Sequence, residues 1–172
     1  MCGIVGFTGN KNAVPIILTG LKRLEYRGYD SAGLSILQNN KLTTIKQEGK
    51  IKNLENAINN NSLESFLGIG HTRWATHGEP NNANAHPHES NDRSLSLVHN
   101  GIIENYDSLK KMLMSKGFIF HSDTDTEVLA NLIQFNYKGD LKEALIVSLK
   151  SVVGAYGIAV VHKNHPGIIV CA

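Results

Sequence analysis

A cysteine stands at the second position of the chain, where removal of Met1 would make it the N-terminal residue. A free thiol with a pKa near 8.5 is only about 3% thiolate at neutral pH, so a catalytic cysteine needs a nearby base. Processing would expose an α-amine on Cys2, with a reference pKa of about 7.7–8.0, on the same residue as the thiol. Cys2 is therefore a candidate nucleophile that carries its own base. Taken alone, a cysteine is more often a small buried residue, here at the start of a strand.

Five histidines lie close together in the sequence and raise the question of a metal site: His71, His77, His86, His88 and His99. His86-Pro87-His88 offers two ligands, but the chain has no HExxH or CxxC pattern and no cysteine nearby. We therefore expect no metal and no cofactor. A histidine base for Cys2, supplied by His77 or His99, is an alternative to the α-amine.

The size and composition of the chain are typical of one globular domain with its own apolar core. It has 172 residues, of which 41% are hydrophobic and 19% charged. The net charge of +2 comes from scattered residues, so no nucleic-acid or membrane surface is indicated, and no apolar stretch approaches the roughly 20 residues of a membrane span. Two cysteines at opposite ends of the chain favour a reduced setting. We expect a cytoplasmic protein.

Apolar periodicity in the first half predicts a strand, a helix and a hairpin, followed by a second helix and a strand. The helix tolerates Pro15 because proline fits the first turn, and Asn39-Asn40 favours a tight turn between the two hairpin strands. The predicted strands span residues 2–7, 33–38, 41–47 and 69–73, and the helices span 14–24 and 52–58.

A long irregular segment, residues 75–93, follows the strand 69–73. It contains two prolines, four asparagines and several histidines, and no regular element fits it. Loops of this length inside a compact domain are usually functional or disordered. We expect this segment to belong to a functional site.

The next strand, residues 94–99, is predicted to present Asn100-Gly101 at its end. Asn-Gly also favours a type I′ turn, but a helix beginning near Asn105, rather than a returning strand, weakens that interpretation. Capping boxes at Thr124 and Asp140 begin two further helices. The remaining predictions are a helix at 105–116 ending at Gly117, a helix reaching residue 134, and a closing hairpin of strands 155–162 and 167–172.

Six segments carry a resemblance to a known family. They are MCGIVG at residues 1–6, LKRLEYRGYDSAG at 21–33, HTRWATHGEPNNANAHPH at 71–88, VHNGIIEN at 98–105, SDTDTEV at 122–128 and GAYG at 154–157. Together they resemble the glutaminase domain, a class II glutamine amidotransferase, of the glucosamine-6-phosphate synthases (glutamine:fructose-6-phosphate amidotransferases). The resemblance implies one glutaminase domain over residues 1–172. Its fold would be an α+β four-layer αββα sandwich of the N-terminal nucleophile hydrolase type.

The resemblance also implies catalytic roles. Cys2 would attack the side-chain carboxamide of L-glutamine, releasing ammonia and leaving a γ-glutamyl thioester. Asn100 and Gly101 would form the oxyanion hole, a task that suits a carboxamide and a close main-chain N–H. Arg27 would lie near the N-terminal amine, where a cation lowers the amine's pKa.

Substrate-binding roles follow from the same resemblance. Arg73 would hold the α-carboxylate of glutamine through its guanidinium fork, and Asp125 would bind the α-ammonium. Trp74, Thr76 and His77 would line the pocket. Two of these residues have simpler alternatives, since a lone tryptophan often packs in a core and an acid is favoured in the first turn of a helix.

Related amidotransferases share the opening MCGI, so the finer choice depends on LEYRGYDSAG, HTRWATHG and SDTDTEV. These segments favour the hexosamine-forming family over the amidophosphoribosyltransferases and asparagine synthetases. The alternatives are a glutaminase domain of an amidophosphoribosyltransferase-like enzyme and a non-catalytic glutamine-binding module. The resemblance implies downstream sugar-phosphate isomerase domains absent from this chain and a homodimeric full-length protein. Because the chain ends within the apolar run IIVCA, we expect an N-terminal fragment of a longer polypeptide.

Overall fold

Two four-stranded antiparallel sheets lie face to face, with helices on the outer face of each. A computed structural model describes residues 2–28, 30–59, 63–74 and 81–172. One apolar cluster lies between the sheets, and one lies beneath the helices of each outer layer. The predicted α+β four-layer αββα sandwich is confirmed.

The first half of the chain forms one sheet and its helices. The strand order is β1-β4-β2-β3, so β4 is a central strand that pairs with both β1 and β2. The elements are β1 (Gly3–Thr8), α1 (Ala13–Leu24), β2 (Ser31–Gln38), β3 (Lys41–Glu48), α2 (Ile51–Asn59) and β4 (Leu67–Arg73).

The second half forms the other sheet, in the order β5-β6-β7-β8, and three helices that cover it. The elements are β5 (His88–Glu89), β6 (Leu95–Ile103), α3 (Tyr106–Ser115), α4 (Asp125–Asn136), α5 (Leu141–Leu149), β7 (Gly154–His162) and β8 (Val170–Cys171). No helix in the described ranges is long and apolar enough to cross a membrane.

Local sequence signals explain several element boundaries. Asn39 and Asn40 have φ angles of 51° and 58°, the left-handed values that a type I′ turn needs, so the predicted hairpin of β2 and β3 is confirmed. Thr124 Oγ1 accepts a hydrogen bond from Glu127 N at the start of α4. The Glu127 carboxylate does not return to Thr124 but accepts hydrogen bonds from the main chain of His121 and Ser122. Only one of the two hydrogen bonds of the predicted capping box is therefore present, because the Glu127 carboxylate binds the main chain that precedes the helix instead.

The predicted end of the strand at residue 99 is wrong. Strand β6 continues to Ile103, and Asn100 and Gly101 lie within it, paired with Gly157 and Tyr156 of β7. The type I′ turn is therefore also wrong at this position. The irregular segment predicted at 75–93 contains the two-residue strand β5, because residues 88–89 pair with β6. Residues 75–80 lie outside the described ranges.

Strand β4 turns alternate residues to opposite faces of its sheet. Leu67 and Ile69 contribute to the cluster between the sheets, while Gly68 and Gly70 lie against Ile17 of α1. By this alternation, the inner face of β4 continues to His71 and Arg73. The apolar layer between the sheets therefore passes into polar residues at one end.

We predict that Ile69→Ala lowers the free energy of unfolding by about 2–5 kcal/mol, because it leaves a cavity between two packed sheets. Ile69 is fully buried. Ile119→Ala is the matched control, because Ile119 is 63% exposed and its truncation should change stability by about 0.5 kcal/mol or less. Urea denaturation measures both, and equal losses would contradict this account of the inter-sheet layer.

Candidate functional site

A cavity of about 460 Å³ opens where β1, β4 and β6 meet the start of α4. Its walls include seven of the nine predicted site residues: Cys2, Arg27, Arg73, Trp74, Asn100, Gly101 and Asp125. The other two, Thr76 and His77, lie outside the described residues. The fold therefore brings together residues separated by more than 120 positions in the chain.

Cys2 precedes β1 and lies beside the end of β4, because Gly3 pairs with Thr72. Its Sγ accepts a hydrogen bond from Trp74 N at 3.2 Å and lies 3.6 Å from Trp74 O. Within the described ranges, these main-chain atoms are the hydrogen-bond partners of the sulphur, and Cys2 forms no disulfide bond. No described histidine is at hydrogen-bond distance from it, and His77 is not among the described residues.

Asn100 contacts both sheets through its carboxamide. Its Oδ1 accepts a hydrogen bond from His71 Nε2 at 2.8 Å, and its Nδ2 donates to the carbonyl oxygen of Cys2 at 3.3 Å. The next residue, Gly101, has a φ of 135°, and a Cβ there would lie 1.9 Å from Ala155 O. Only glycine fits this position without displacing β7.

The cavity wall carries the cationic side chains of two arginines and the anionic side chain of one aspartate. Burial lowers the pKa of Arg73, and the Coulombic effects of Cys2 in its thiolate form, of Asp30 and of Asp125 oppose that shift. Asp125 begins α4, and its Oδ2 accepts a hydrogen bond from Ile103 N at 2.8 Å. Its place in the first helical turn is favoured by the helix dipole, and the same carboxylate lines the cavity. A place in the first turn of α4 is therefore compatible with ligand binding at Asp125.

Trp74 and Arg27 form part of the cavity wall. Trp74 is 42% exposed, which argues against simple core packing. Arg27 ends a 3-10 turn spanning Glu25–Arg27, which was not predicted from the sequence. The turn approaches β4 closely, because a Cβ on Gly28 would lie 2.8 Å from the carbonyl carbon of Arg73. This close approach brings Arg27 to the same cavity as Cys2.

A group of buried histidines begins at the cavity wall, where three of its four members lie. The rings of His71 and His86 are stacked at 4.3 Å, and those of His86 and His88 meet edge-on at 4.9 Å. His99 Nδ1 lies 3.0 Å from Thr126 Oγ1, and its main-chain N–H donates to His86 Nδ1 at 3.4 Å. Among the described residues, no group of three or more His, Cys, Asp or Glu side chains is arranged to hold a metal ion.

Burial keeps these histidines neutral at pH 7. It lowers the pKa of His71 to about 4, against the opposing effect of the Asn100 hydrogen bond. Burial also lowers the pKa of His86 and of His88 well below the usual value. The positive charge of Arg73 adds to the shift at both residues, and that of Lys46 adds to it at His88. For His99, burial lowers the pKa and Asp125 opposes the shift. The cavity is therefore backed by uncharged imidazoles.

The cavity wall includes six further residues that are not among the nine predicted site residues. The alternation of β4 was a usable signal for one of them, because residues 71 and 73 share a strand face. The two threonines flank Asp125 at the start of a predicted helix, but helical spacing alone does not identify which of them faces a cavity. The six residues are His71, His86, His99, Ile102, Thr124 and Thr126, of which the histidines were considered only as metal ligands or, for His99, as a base for Cys2.

Comparison with known proteins gives one matching family and close relatives. Residues 57–171 match the family described as "Glutamine amidotransferase domain". The chain is 52% identical to a glutamine–fructose-6-phosphate aminotransferase (isomerizing) of Clostridium perfringens over 96% of its length, and 52% identical to that of Thermus thermophilus over 98%. It spans only 27% and 28% of the length of these two relatives.

Solved structures show the same fold. Glutamine phosphoribosylpyrophosphate amidotransferase from B. subtilis superimposes with a TM-score of 0.81 at 32% identity, covering 95% of this chain and 35% of that protein. A structure titled as the allosteric regulatory enzyme of purine biosynthesis gives a TM-score of 0.82 at 33% identity, covering 95% and 36%. These likenesses confirm the predicted N-terminal nucleophile hydrolase type of fold.

We predict that Gly101→Ala destabilises the chain while Gly157→Ala is tolerated. The positive φ of Gly101 alone costs about 1–3 kcal/mol for a residue with a side chain, and the clash with Ala155 O adds to that cost. Gly157 is the matched control in the partner strand, since a Cβ there comes no closer than 3.9 Å to another atom. Thermal unfolding compares the two variants, and a stable Gly101→Ala chain would contradict the described geometry of β6.

We predict that the free energy of unfolding falls as pH is lowered from about 6.5 to about 4. In this window the unfolded chain binds protons that the folded histidines reject, because the folded pKa of His71 is about 4. One such histidine contributes up to about 1.4 kcal/mol per pH unit. Urea unfolding at several pH values measures the slope, which His71→Gln should make shallower. An unchanged slope in that variant would show that His71 does not contribute.

Proposed function

The chain belongs to the glutamine amidotransferase domain family, and we propose that it hydrolyses the side-chain amide of L-glutamine to glutamate and ammonia. The observation that carries this proposal is the convergence of the Cys2 thiol, the Asn100 carboxamide and the opposite charges of Arg73 and Asp125 in one cavity. A thiol, a hydrogen-bond donor and two charged anchors are what cleavage of an amino-acid side-chain amide needs.

Cys2 is the proposed nucleophile. Its Sγ forms a bond with the amide carbon of glutamine, and the thiol proton passes to the α-amine exposed by removal of Met1. The same amine then delivers a proton to the departing nitrogen as the C–N bond breaks, so ammonia leaves and a γ-glutamyl thioester remains. Water attacks the thioester, which yields glutamate and regenerates the thiol. Arg27 lines the same cavity, and its positive charge would lower the pKa of this amine.

Asn100 and Gly101 are the proposed oxyanion hole for both tetrahedral intermediates. In the described part of the chain, one Nδ2–H of Asn100 donates to Cys2 O, which leaves the second proton of this amide for the cavity. The Gly101 N–H lies one residue further along β6. A preorganised donor of this kind is typically worth about 2.7–4 kcal/mol in the transition state.

Arg73 and Asp125 are the proposed anchors for the α-carboxylate and α-ammonium of glutamine. The guanidinium presents several donors in a fixed plane, and the Asp125 carboxylate is held by Ile103 N. Because both anchors are fixed relative to Cys2, a substrate one methylene shorter, such as asparagine, would not bring its amide to the thiol. Trp74, Thr76 and His77 remain proposed pocket residues.

In the wider proposal, this domain supplies ammonia for glucosamine 6-phosphate synthesis from fructose 6-phosphate. The support is 51–52% identity to relatives named glutamine–fructose-6-phosphate aminotransferase, against 32–33% for the purine-pathway structures, which represent the alternative function. The partners would be sugar-phosphate isomerase domains, in a homodimeric full-length protein. We propose a cytoplasmic setting, because a reduced environment keeps the thiol available.

The direct test is ammonia release from glutamine by the Met-processed chain. We expect Cys2→Ala to abolish turnover while retaining binding of glutamine, because it removes the nucleophile and leaves the charged anchors. Cys171→Ala is the matched control: this second thiol is exposed, lies in β8 and does not line the cavity, so the variant should keep wild-type turnover. Glutamine turnover by Cys2→Ala would refute the nucleophile, and binding without turnover by the wild type would favour a binding module.

Acetylation of the Cys2 α-amine distinguishes the two proposed bases. If the amine is the base, the acetylated chain loses ammonia release because its nitrogen no longer accepts a proton. If a histidine is the base, activity is largely retained. Prepared by semisynthesis, the acetylated chain and its free-amine counterpart differ only in this group, so their ratio of turnover rates answers the question.

A further inference from the structure

A hydrogen bond between the two sheets ends at the proposed oxyanion hole. His71 belongs to the inner face of β4 and is 1% exposed, and Asn100 belongs to β6 of the facing sheet. The His71 Nε2 and Asn100 Oδ1 atoms are 2.8 Å apart, which is within the usual range of an N–H···O hydrogen bond. The contact joins a buried ring that the mechanism above does not use to a side chain that it does.

The donor and acceptor of this bond are determined by chemistry. A carboxamide oxygen only accepts, so His71 Nε2 must carry the proton. The contact of the amide nitrogen supports this assignment, because Asn100 Nδ2 lies 3.3 Å from the carbonyl oxygen of Cys2 and donates a hydrogen bond to it. Rotating the amide by 180° would bring two oxygens together at Cys2, and His71 would have to adopt the other tautomer so that Nε2 accepts from the NH₂ group.

The orientation of this amide matters for the proposed reaction. With Nδ2 toward Cys2, the carboxamide presents a donor to an oxyanion that forms on the amide carbon attacked by the thiol. In the rotated state it would present an oxygen to that negative charge, which is repulsive. A carboxamide has no intrinsic preference between these states, so a neighbouring residue must select one.

We propose that His71 is a positioning residue that holds the Asn100 carboxamide in its oxyanion-binding orientation. This inference rests on the proposed function of the cavity. His71 acts through Asn100, and no contact of His71 with the substrate is required.

The surroundings of His71 suit a fixed donor. Its ring stacks on His86 at 4.3 Å with an interplanar angle of 22°. The His86 ring is itself held by His99 N, which donates to His86 Nδ1. Because the group is buried and uncharged at neutral pH, the ring supplies a donor to Asn100 without placing a positive charge behind the cavity.

The test compares His71→Phe, which keeps a ring but loses the donor, with His71→Gln, which retains an N–H donor. We expect His71→Phe to lower kcat for glutamine about 10- to 100-fold with little change in KM, because the lost interaction matters only in the transition state. His71→Gln should keep more of the activity. In an Asn100→Ala background, His71→Phe should have no further effect, since its action passes through Asn100.

Ligand binding adds a readout that a purely structural role would not produce. L-Glutamate γ-semialdehyde forms a thiohemiacetal with a thiol: Sγ bonds to the aldehyde carbon and the thiol proton goes to the oxygen. We expect its affinity to fall in parallel with kcat in His71→Phe, while the affinity of L-glutamate stays unchanged. Wild-type kcat and aldehyde affinity in His71→Phe would overturn the inference and leave Cys2 and the anchors untouched.

Two controls separate failure of this inference from failure of the proposed function. If Asn100→Ala also turns over glutamine normally, the oxyanion assignment itself is wrong. If circular dichroism shows that His71→Phe does not fold, nitrogen NMR of ¹⁵N-histidine in the wild-type chain decides the question. An Nε2–H tautomer for His71 supports the inference, and an Nδ1–H tautomer overturns it, because that ring has no proton to donate to Asn100 Oδ1.

Discussion

The face-to-face packing of the two sheets is the constraint on which the rest of the structure depends. Ile69 of β4 meets Val98 of β6 in an apolar layer. Along the same strand faces, the layer then changes to His71, Arg73 and Asn100. Because the sheets are held at a fixed separation by the apolar part, the polar residues beyond it meet in a defined geometry. The cavity is therefore the polar end of the inter-sheet layer.

Close main-chain approaches set the finer geometry of this region. A Cβ on Gly33 would lie 2.2 Å from the carbonyl oxygen of His86, so the segment before β5 lies directly on β2. That approach brings the His86 ring onto His71. On the other side, Gly101 allows β6 to pass close to Ala155 of β7. Glycines at both positions let the backbone come nearer than any side chain would permit.

Burial determines the chemistry of the cavity's polar groups. An unpaired polar group in a low-dielectric interior costs free energy, so each is either neutral or held by a partner. The histidines become uncharged, whereas Asp125 keeps a main-chain donor at Ile103. In the proposed function, the α-ammonium of glutamine would face Asp125 and its α-carboxylate would face Arg73. The proposed zwitterionic substrate would therefore meet charges that the fold already holds in place beside the Cys2 thiol.

The sequence by itself determined the local features: the Asn39-Asn40 hairpin, the Thr124 helix start and the residue types of the site. The six segments that resemble the glutaminase family also predicted the layered fold and seven residues that line the cavity. Local patterns failed at Asn100-Gly101, because the same dipeptide favours a turn alone but continues a strand when β7 pairs with it. The partner of the Asn100 carboxamide was decided only by tertiary structure. His71 lies 29 positions away in the sequence. The alternation of residues along a strand does not predict a hydrogen bond that forms only when two sheets pack together.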